Sequence, residues 1–176
     1  MLMASAHSLR GDTSQATREA AEMLLTKMGQ PPDLVIVYAT EHHANQGLVN
    51  TLGAMIPGTK FIGGTSCGGV MTEAGFHSGP NGTLGLLGVA DPDGDYGVGA
   101  AALGTDPFAA GARAVEIALA SAGRDFESPA LVWCCPPPGQ EEQVIAAELD
   151  REVLDTQKGL LRHSGLDLQA RIEYVA

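Results

Sequence analysis

An α/β fold, built as a layered sandwich with a mixed sheet flanked by helices, is what this sequence predicts, and two observations carry the prediction. Apolar strand-like runs alternate with amphipathic helical stretches over the first third of the chain, which is the pattern of strands covered by helices. Farther on, two apolar runs at 83–90 and 96–103 flank Asp91-Pro92-Asp93-Gly94-Asp95. Turn residues of that kind between two strand-like runs predict an antiparallel hairpin, so the sheet is mixed.

In chain order, Ala16, Ala20, Met23, Leu24 and Met28 recur at helical spacing, with Thr13 or Ser14 as cap and Gly29 as stop. Pro31-Pro32 lead into Asp33-Leu34-Val35-Ile36-Val37-Tyr38-Ala39, a nearly continuous apolar run that reads as a central strand buried on both faces. Asn45 caps a helix carrying Leu48, Leu52, Met55 and Ile56, which Pro57-Gly58 ends. A second strand begins at Lys60 and breaks into the glycine-rich segment Gly63-Gly64-Thr65-Ser66-Cys67-Gly68-Gly69. Asp106 followed by Pro107 gives a cap and first residue for a helix ending at Gly123. The run Ala130-Leu131-Val132-Trp133-Cys134-Cys135 is expected as another buried strand, stopped by Pro136-Pro137-Pro138-Gly139 and followed by a helix from about 140 to 154. Alternation of Leu166, Leu168, Ala170, Ile172 and Tyr174 predicts a half-buried final strand.

At 176 residues and 44% apolar content the chain is about one domain long and holds enough material for a core. Ten basic against 21 acidic residues give a formal charge of −11, which repels phosphate backbones and anionic bilayers. Nucleic acid and membrane are therefore excluded as main partners. The first ten residues are too polar for a secretory signal, and no run has the length of a membrane span, so a cytoplasmic protein is expected. Three cysteines without C-x-x-C spacing indicate neither a disulfide framework nor a zinc site; Cys134 and Cys135 read as buried thiols, and Cys67 alone lies beside a candidate site.

The glycine-rich segment is the chief candidate for function. Glycines let another group approach the backbone, so the hydroxyls of Thr65 and Ser66 and the neighbouring N–H groups can line a site for a small polar or anionic ligand. Thr40, Glu41 and His42, following the central strand, occupy the loop position where binding residues concentrate. Gly64-Thr65-Ser66-Cys67-Gly68 also matches the G-x-S-x-G nucleophile elbow of a serine or cysteine hydrolase, with Ser66 or Cys67 as nucleophile, but the required helix does not follow it, and His163 has no visible orienting acid. Asp91, Asp93 and Asp95 alternate like a calcium loop yet lack its glycine and glutamate, and read as a turn. Asn81-Gly82 is likewise a turn. Gly97-Val98-Gly99-Ala100-Ala101-Ala102 fits a relaxed dinucleotide pattern only by composition, because no helix opens there.

The order of these elements, with Ile62-Gly63-Gly64-Thr65-Ser66-Cys67-Gly68-Gly69-Val70 as hallmark, resembles the N-terminal part of the FIST domain. The apolar strand at 33–39, the run at 82–90, Asp106-Pro107 with Gly111, and the stretch at 130–142 extend the resemblance over roughly 14–147. Gly69 departs from it, since members commonly carry an acidic residue there. The resemblance stops short of the family's later glycine-rich block and of its C-terminal domain, so a truncated unit is expected. What it implies is a non-enzymatic, bacterial sensory module that binds amino acids or related small metabolites through 63–68 with Thr40, Glu41 and His42. It also implies an output through a partner such as a histidine kinase or a cyclase, or through a homodimer. A subgroup of the family senses nitric oxide with haem, for which His42, His43 and His77 are the available ligands.

Overall fold

The computed structural model describes residues 1–125 and 127–150. It has the mixed α/β architecture expected from the sequence, in two compact units, Met1–Tyr96 and Gly97–Ala176. The helix expected beyond residue 150, the strand expected at 166–176 and His163 lie outside the described residues.

The first unit is built on a four-stranded sheet with the order β1-β6-β2-β3. Strand β1 (Leu2–Ser8) leads into helix α1 (Thr13–Met28), and strand β2 (Leu34–Thr40) into a 3-10 turn at Glu41–His43 and helix α2 (Gln46–Met55). After β3 (Lys60–Ser66) come two short strands, β4 (Val70–Thr72) and β5 (Gly75–His77), and then β6 (Leu84–Ala90). β2 and β3 run parallel, whereas β6 lies antiparallel between β1 and β2. The segment 1–10, read from the sequence only for what it is not, thus supplies an edge strand.

Local signals fix the helices much as expected. Asn45 caps α2, its Oδ1 accepting from the Gly47 N–H at 2.9 Å. Asp12, one residue before the expected Thr13 or Ser14, caps α1 by accepting from the Gln15 N–H at 2.9 Å. Gly29 closes α1 in the left-handed conformation at φ 67°, where a residue without Cβ is unstrained.

The core lies between the sheet and its two helices. Ala20, Ala21, Leu24 and Met28 of α1 and Leu48 and Leu52 of α2 pack on Val35, Val37, Ala39, Leu84, Leu86 and Ala6. Side chains of these strands alternate, so the opposite face carries His7, Tyr38 and Gly85, which are register partners. There the β4–β5 hairpin covers β1 and β6, with Val70 seated over Gly85, where an added Cβ would lie 2.9 Å from the valine Cβ.

The expected hairpin between 83–90 and 96–103 is not formed. β6 has two edges, and β1 and β2 occupy both, so no edge is left for the second run. Asp91 and Gly94 still make the predicted turn, through a 3.0 Å bond from the Gly94 N–H to the Asp91 carbonyl. The antiparallel hairpin of this fold is β4–β5 instead.

In the second unit, helix α3 (Pro107–Ala122) has the Asp106 cap and Gly123 stop that the sequence predicts. Residues 97–99 lie against α3: a Cβ on Gly97 would fall 1.9 Å from the Ala118 carbonyl oxygen, and one on Gly99 2.0 Å from that of Ala114. The glycine pair serves close helix packing, not phosphate binding. Helix α4 (Glu141–Asp150) follows. Among the described residues the strand expected at 130–135 is not formed: the segment is not assigned as a strand, Leu131 is 79% exposed and Cys135 is exposed, with Cys134 half-buried. An apolar run becomes a strand only where a ladder satisfies its backbone groups.

Candidate functional site

The carboxyl ends of β2 and β3 meet in the last rung of their parallel ladder, where Thr40 is the register partner of Ser66. This brings the two candidate segments together, since Glu41 and His42 follow one strand and Cys67 and Gly68 the other. Gly63, Gly64, Thr65 and Ser66 are strand residues, not the loop the glycines suggested. Gly63 faces the Val37 carbonyl so closely that a Cβ would lie 1.8 Å from its oxygen, so this glycine answers to strand crowding. Thr65, Cys67 and Gly68 are exposed; Ser66 is half-buried and its Oγ donates to the Gly69 carbonyl.

The hydroxyl of Thr40 is committed as well. It accepts from the Thr83 N–H at 2.9 Å and donates to the Thr83 carbonyl at 3.4 Å, tying β2 to the start of β6. Glu41 and His42 are exposed, and His42 Nε2 donates to the Gly11 carbonyl at 2.7 Å. The polar groups turned outward at this end of the sheet are therefore Glu41, Thr65 and Cys67.

Behind them lies a buried polar cluster, in which the sequence singled out only His43 for function, and that as a haem ligand. His43 is fully buried, with Nδ1 3.2 Å from Thr13 Oγ1, which also accepts from Asn45 Nδ2 at 3.1 Å. Among the described residues, His43 Nε2 and Thr83 Oγ1 are buried without a hydrogen-bond partner. Burial holds the His43 pKa below the ordinary histidine value, and the adjacent His42 ring, T-shaped to it at 4.9 Å, lowers it further; the Arg10 carbonyl and Asp12 oppose the shift. Gly82 closes the cluster at φ 93°, and a Cβ there would sit 2.9 Å from both His43 Nε2 and Thr40 Oγ1. The sequence signals were Asn81-Gly82, which marks the turn, and the alternation of 83–90, which points Thr83 and Gly85 to one side and Leu84 and Leu86 to the other.

The family model for the FIST N domain matches residues 33–158. The chain belongs to the FIST N domain family. FIST domains form a sensory family of signal transduction. No curated protein matches the chain. No helix among the described residues is long and apolar enough to cross a membrane.

Among the described residues of this FIST N chain, the three histidines that the sequence offers as haem ligands, His42, His43 and His77, are each engaged or enclosed. Nε2 of His42 is engaged by the Gly11 carbonyl, and Nε2 of His77 lies 2.7 Å from Thr72 Oγ1 while its ring stacks on His7. The remaining candidate, His43, is enclosed. Among the described residues no group of three or more His, Cys, Asp or Glu can hold a metal ion, and the segment of Asp91, Asp93 and Asp95 is built as the turn closed by the Gly94 N–H on the Asp91 carbonyl. The nucleophile elbow is not formed at Ser66, whose hydroxyl is given to a backbone carbonyl and which strand β4, not a helix, follows; Cys67, the other nucleophile of that reading, is exposed.

Proposed function

We propose that this FIST N chain is an intracellular sensory module that binds an amino acid or a related small polar metabolite at the carboxyl ends of β2 and β3. The supporting observation is the Thr40–Ser66 rung, which gathers both candidate segments at one end of a parallel strand pair, the place where α/β sheets most often bind ligands. Glu41 would accept the ligand's ammonium group; the Thr65 hydroxyl and the N–H groups of Cys67 and Gly68 would take its carboxylate. Gly63, Gly64 and Ser66 would hold the strand end in shape, with Thr40 and His42 fastening the neighbouring loops through Thr83 and Gly11. The chain would act without catalysis and pass its signal, in the cytoplasm, to a kinase or cyclase partner or to a second copy of itself.

A thermal-shift screen with single amino acids and small carboxylates tests this reading. A ligand at a hundred times its Kd that binds only the folded state adds about 2.7 kcal/mol of stability, enough to read as a raised melting temperature. The raised temperature should return to baseline in Thr65→Val and in Glu41→Gln, whose side chains are exposed and leave the core intact. A cooperative melt that no compound moves would remove the proposal.

A further inference from the structure

We propose that the β4–β5 hairpin is an acid-released flap, held on the sheet by the ring stack of His7 in β1 with His77 in β5. The two imidazoles lie with centroids 3.4 Å apart and planes 13° from parallel. While neutral they stack; when both carry a proton, two like charges face each other at contact distance, and the hairpin is the part free to leave. Three-residue strands in an isolated pair have little stability of their own, so β4 and β5 stay ordered only through what fastens them to the sheet.

Those fastenings are few and of different kinds. Val70 seats over Gly85. At the tip, Glu73 accepts from Ser5 Oγ and from Lys27 Nζ at 2.6 Å, and Lys27 also reaches the Ser5 carbonyl at 2.7 Å. At the base, Ser78 Oγ donates to the Gly68 carbonyl at 2.7 Å. Of these contacts, only the histidine stack changes charge in mildly acidic solution.

The charged groups around the stack set its direction. For His7, burial lowers the pKa most, followed by His77 and by Lys27 of α1, while Glu19 of α1 and Glu73 of the hairpin turn raise it. A histidine whose folded pKa is depressed favours folding while neutral. The unfolded ring takes up its proton near pH 6.5, so the contribution of His7 is full above that value and falls away as the pH drops toward the lowered native one. Glu73 responds in a separate window. The hydrogen bond from Lys27 and then that from Ser5 hold its carboxyl down at about 2, so the ion pair stays charged while the rings titrate. The tip contact then acts as a tether and the stack as the release.

Amide hydrogen exchange of the purified chain at pH 7.5 and 5.5, with exposure times scaled to the intrinsic exchange rates, tests the flap. Protection over residues 70–77 should fall at least tenfold at pH 5.5 while that of β2 and β6 holds. In His7→Phe, which keeps a stacking ring without a titrating one, protection of the hairpin should no longer depend on pH. Equal protection of the wild type at both pH values, or the same fall in His7→Phe, would overturn the proposal. A ring titration of wild-type His7 by NMR gives an answer that needs no variant: His7 should take up its proton below the ordinary histidine range, and protonation at or above that range would refute the coupling. None of these readouts requires the metabolite, so failure here and failure of the ligand site are distinguishable.

Discussion

The run 84–90 in the first unit and the run 98–103 in the second are similarly apolar and rich in small residues, yet only the first becomes a strand. β6 finds a partner on each side, and its glycines admit cover on both faces: Gly88 makes room for Met28 and Leu24, Gly85 for Val70. The run after Gly97 lies on the backbone of α3 instead. Apolar content states that a segment prefers to be covered. What covers it is decided by which edges and helix faces are still open when it arrives.

The sharpest way to break this comparison is to remove one apolar side chain from each region. Leu84 is fully buried between β6 and the helices, and Leu84→Ala should cost about 2–5 kcal/mol through lost transfer energy and the cavity left behind. Leu131, from the run expected as a strand, is exposed, and Leu131→Ala should stay within about 0.5 kcal/mol. Urea unfolding of both variants reads the difference directly. Equal costs would mean that the second region is packed as tightly as the first.

A smaller effect separates the two uses of glycine. Gly82→Ala meets a positive φ as well as contact with Thr40 and His43, and should destabilise the first unit by about 1–3 kcal/mol. Gly97→Ala meets no positive φ but crowds the Ala118 backbone and the Ala122 Cβ of α3, so a cost of about 1–3 kcal/mol from overpacking should be confined to the second unit. Hydrogen exchange resolves the two, with protection lost around β2 and β6 in the first variant and around α3 in the second.

Helix caps should behave alike in both regions, because they depend on near neighbours alone. Asp12→Ala and Asp106→Ala each remove one carboxylate acceptor for a first-turn N–H, and each should cost about 1 kcal/mol in denaturant unfolding. A cost for Asp106→Ala far below that for Asp12→Ala would show that α3 unfolds ahead of the sheet and so escapes the measurement.

That contrast also marks what was legible in the sequence. Elements governed by local chemistry were readable: α1, α2 and α3 with their stops, the central position of β2, and the turn at Asp91. Elements that depend on a distant partner were not. β1 looks like a polar leader because Ser5, His7 and Ser8 interrupt its pattern, and only pairing with β6 reveals it. The hairpin at 96–103 failed because occupancy of both β6 edges is a tertiary fact. At the candidate site, the sequence located Thr40, Glu41, His42 and the glycine segment, and the parallel register brings them together. It did not show that Thr40 and Ser66 spend their hydroxyls on backbone, nor that His43, beside the exposed His42, turns inward. A single 3-10 turn separates those two fates.

The smallest expected effect probes whether the better-packed region is also fully satisfied. Thr83 is completely buried, its backbone is bonded to Thr40 in both directions, and its hydroxyl has no partner among the described residues. Valine has nearly the same shape, so Thr83→Val removes a buried polar atom without opening a cavity and leaves the backbone bonds in place. An unsatisfied hydroxyl costs free energy in the folded state, and its removal should leave stability within about 0.5 kcal/mol of wild type or raise it slightly. A loss above about 1.5 kcal/mol, near the upper end for one net hydrogen bond, would show that the hydroxyl meets a partner in solution. His43 Nε2, the other unsatisfied atom of the cluster, would be the first place to look for a shared water between them.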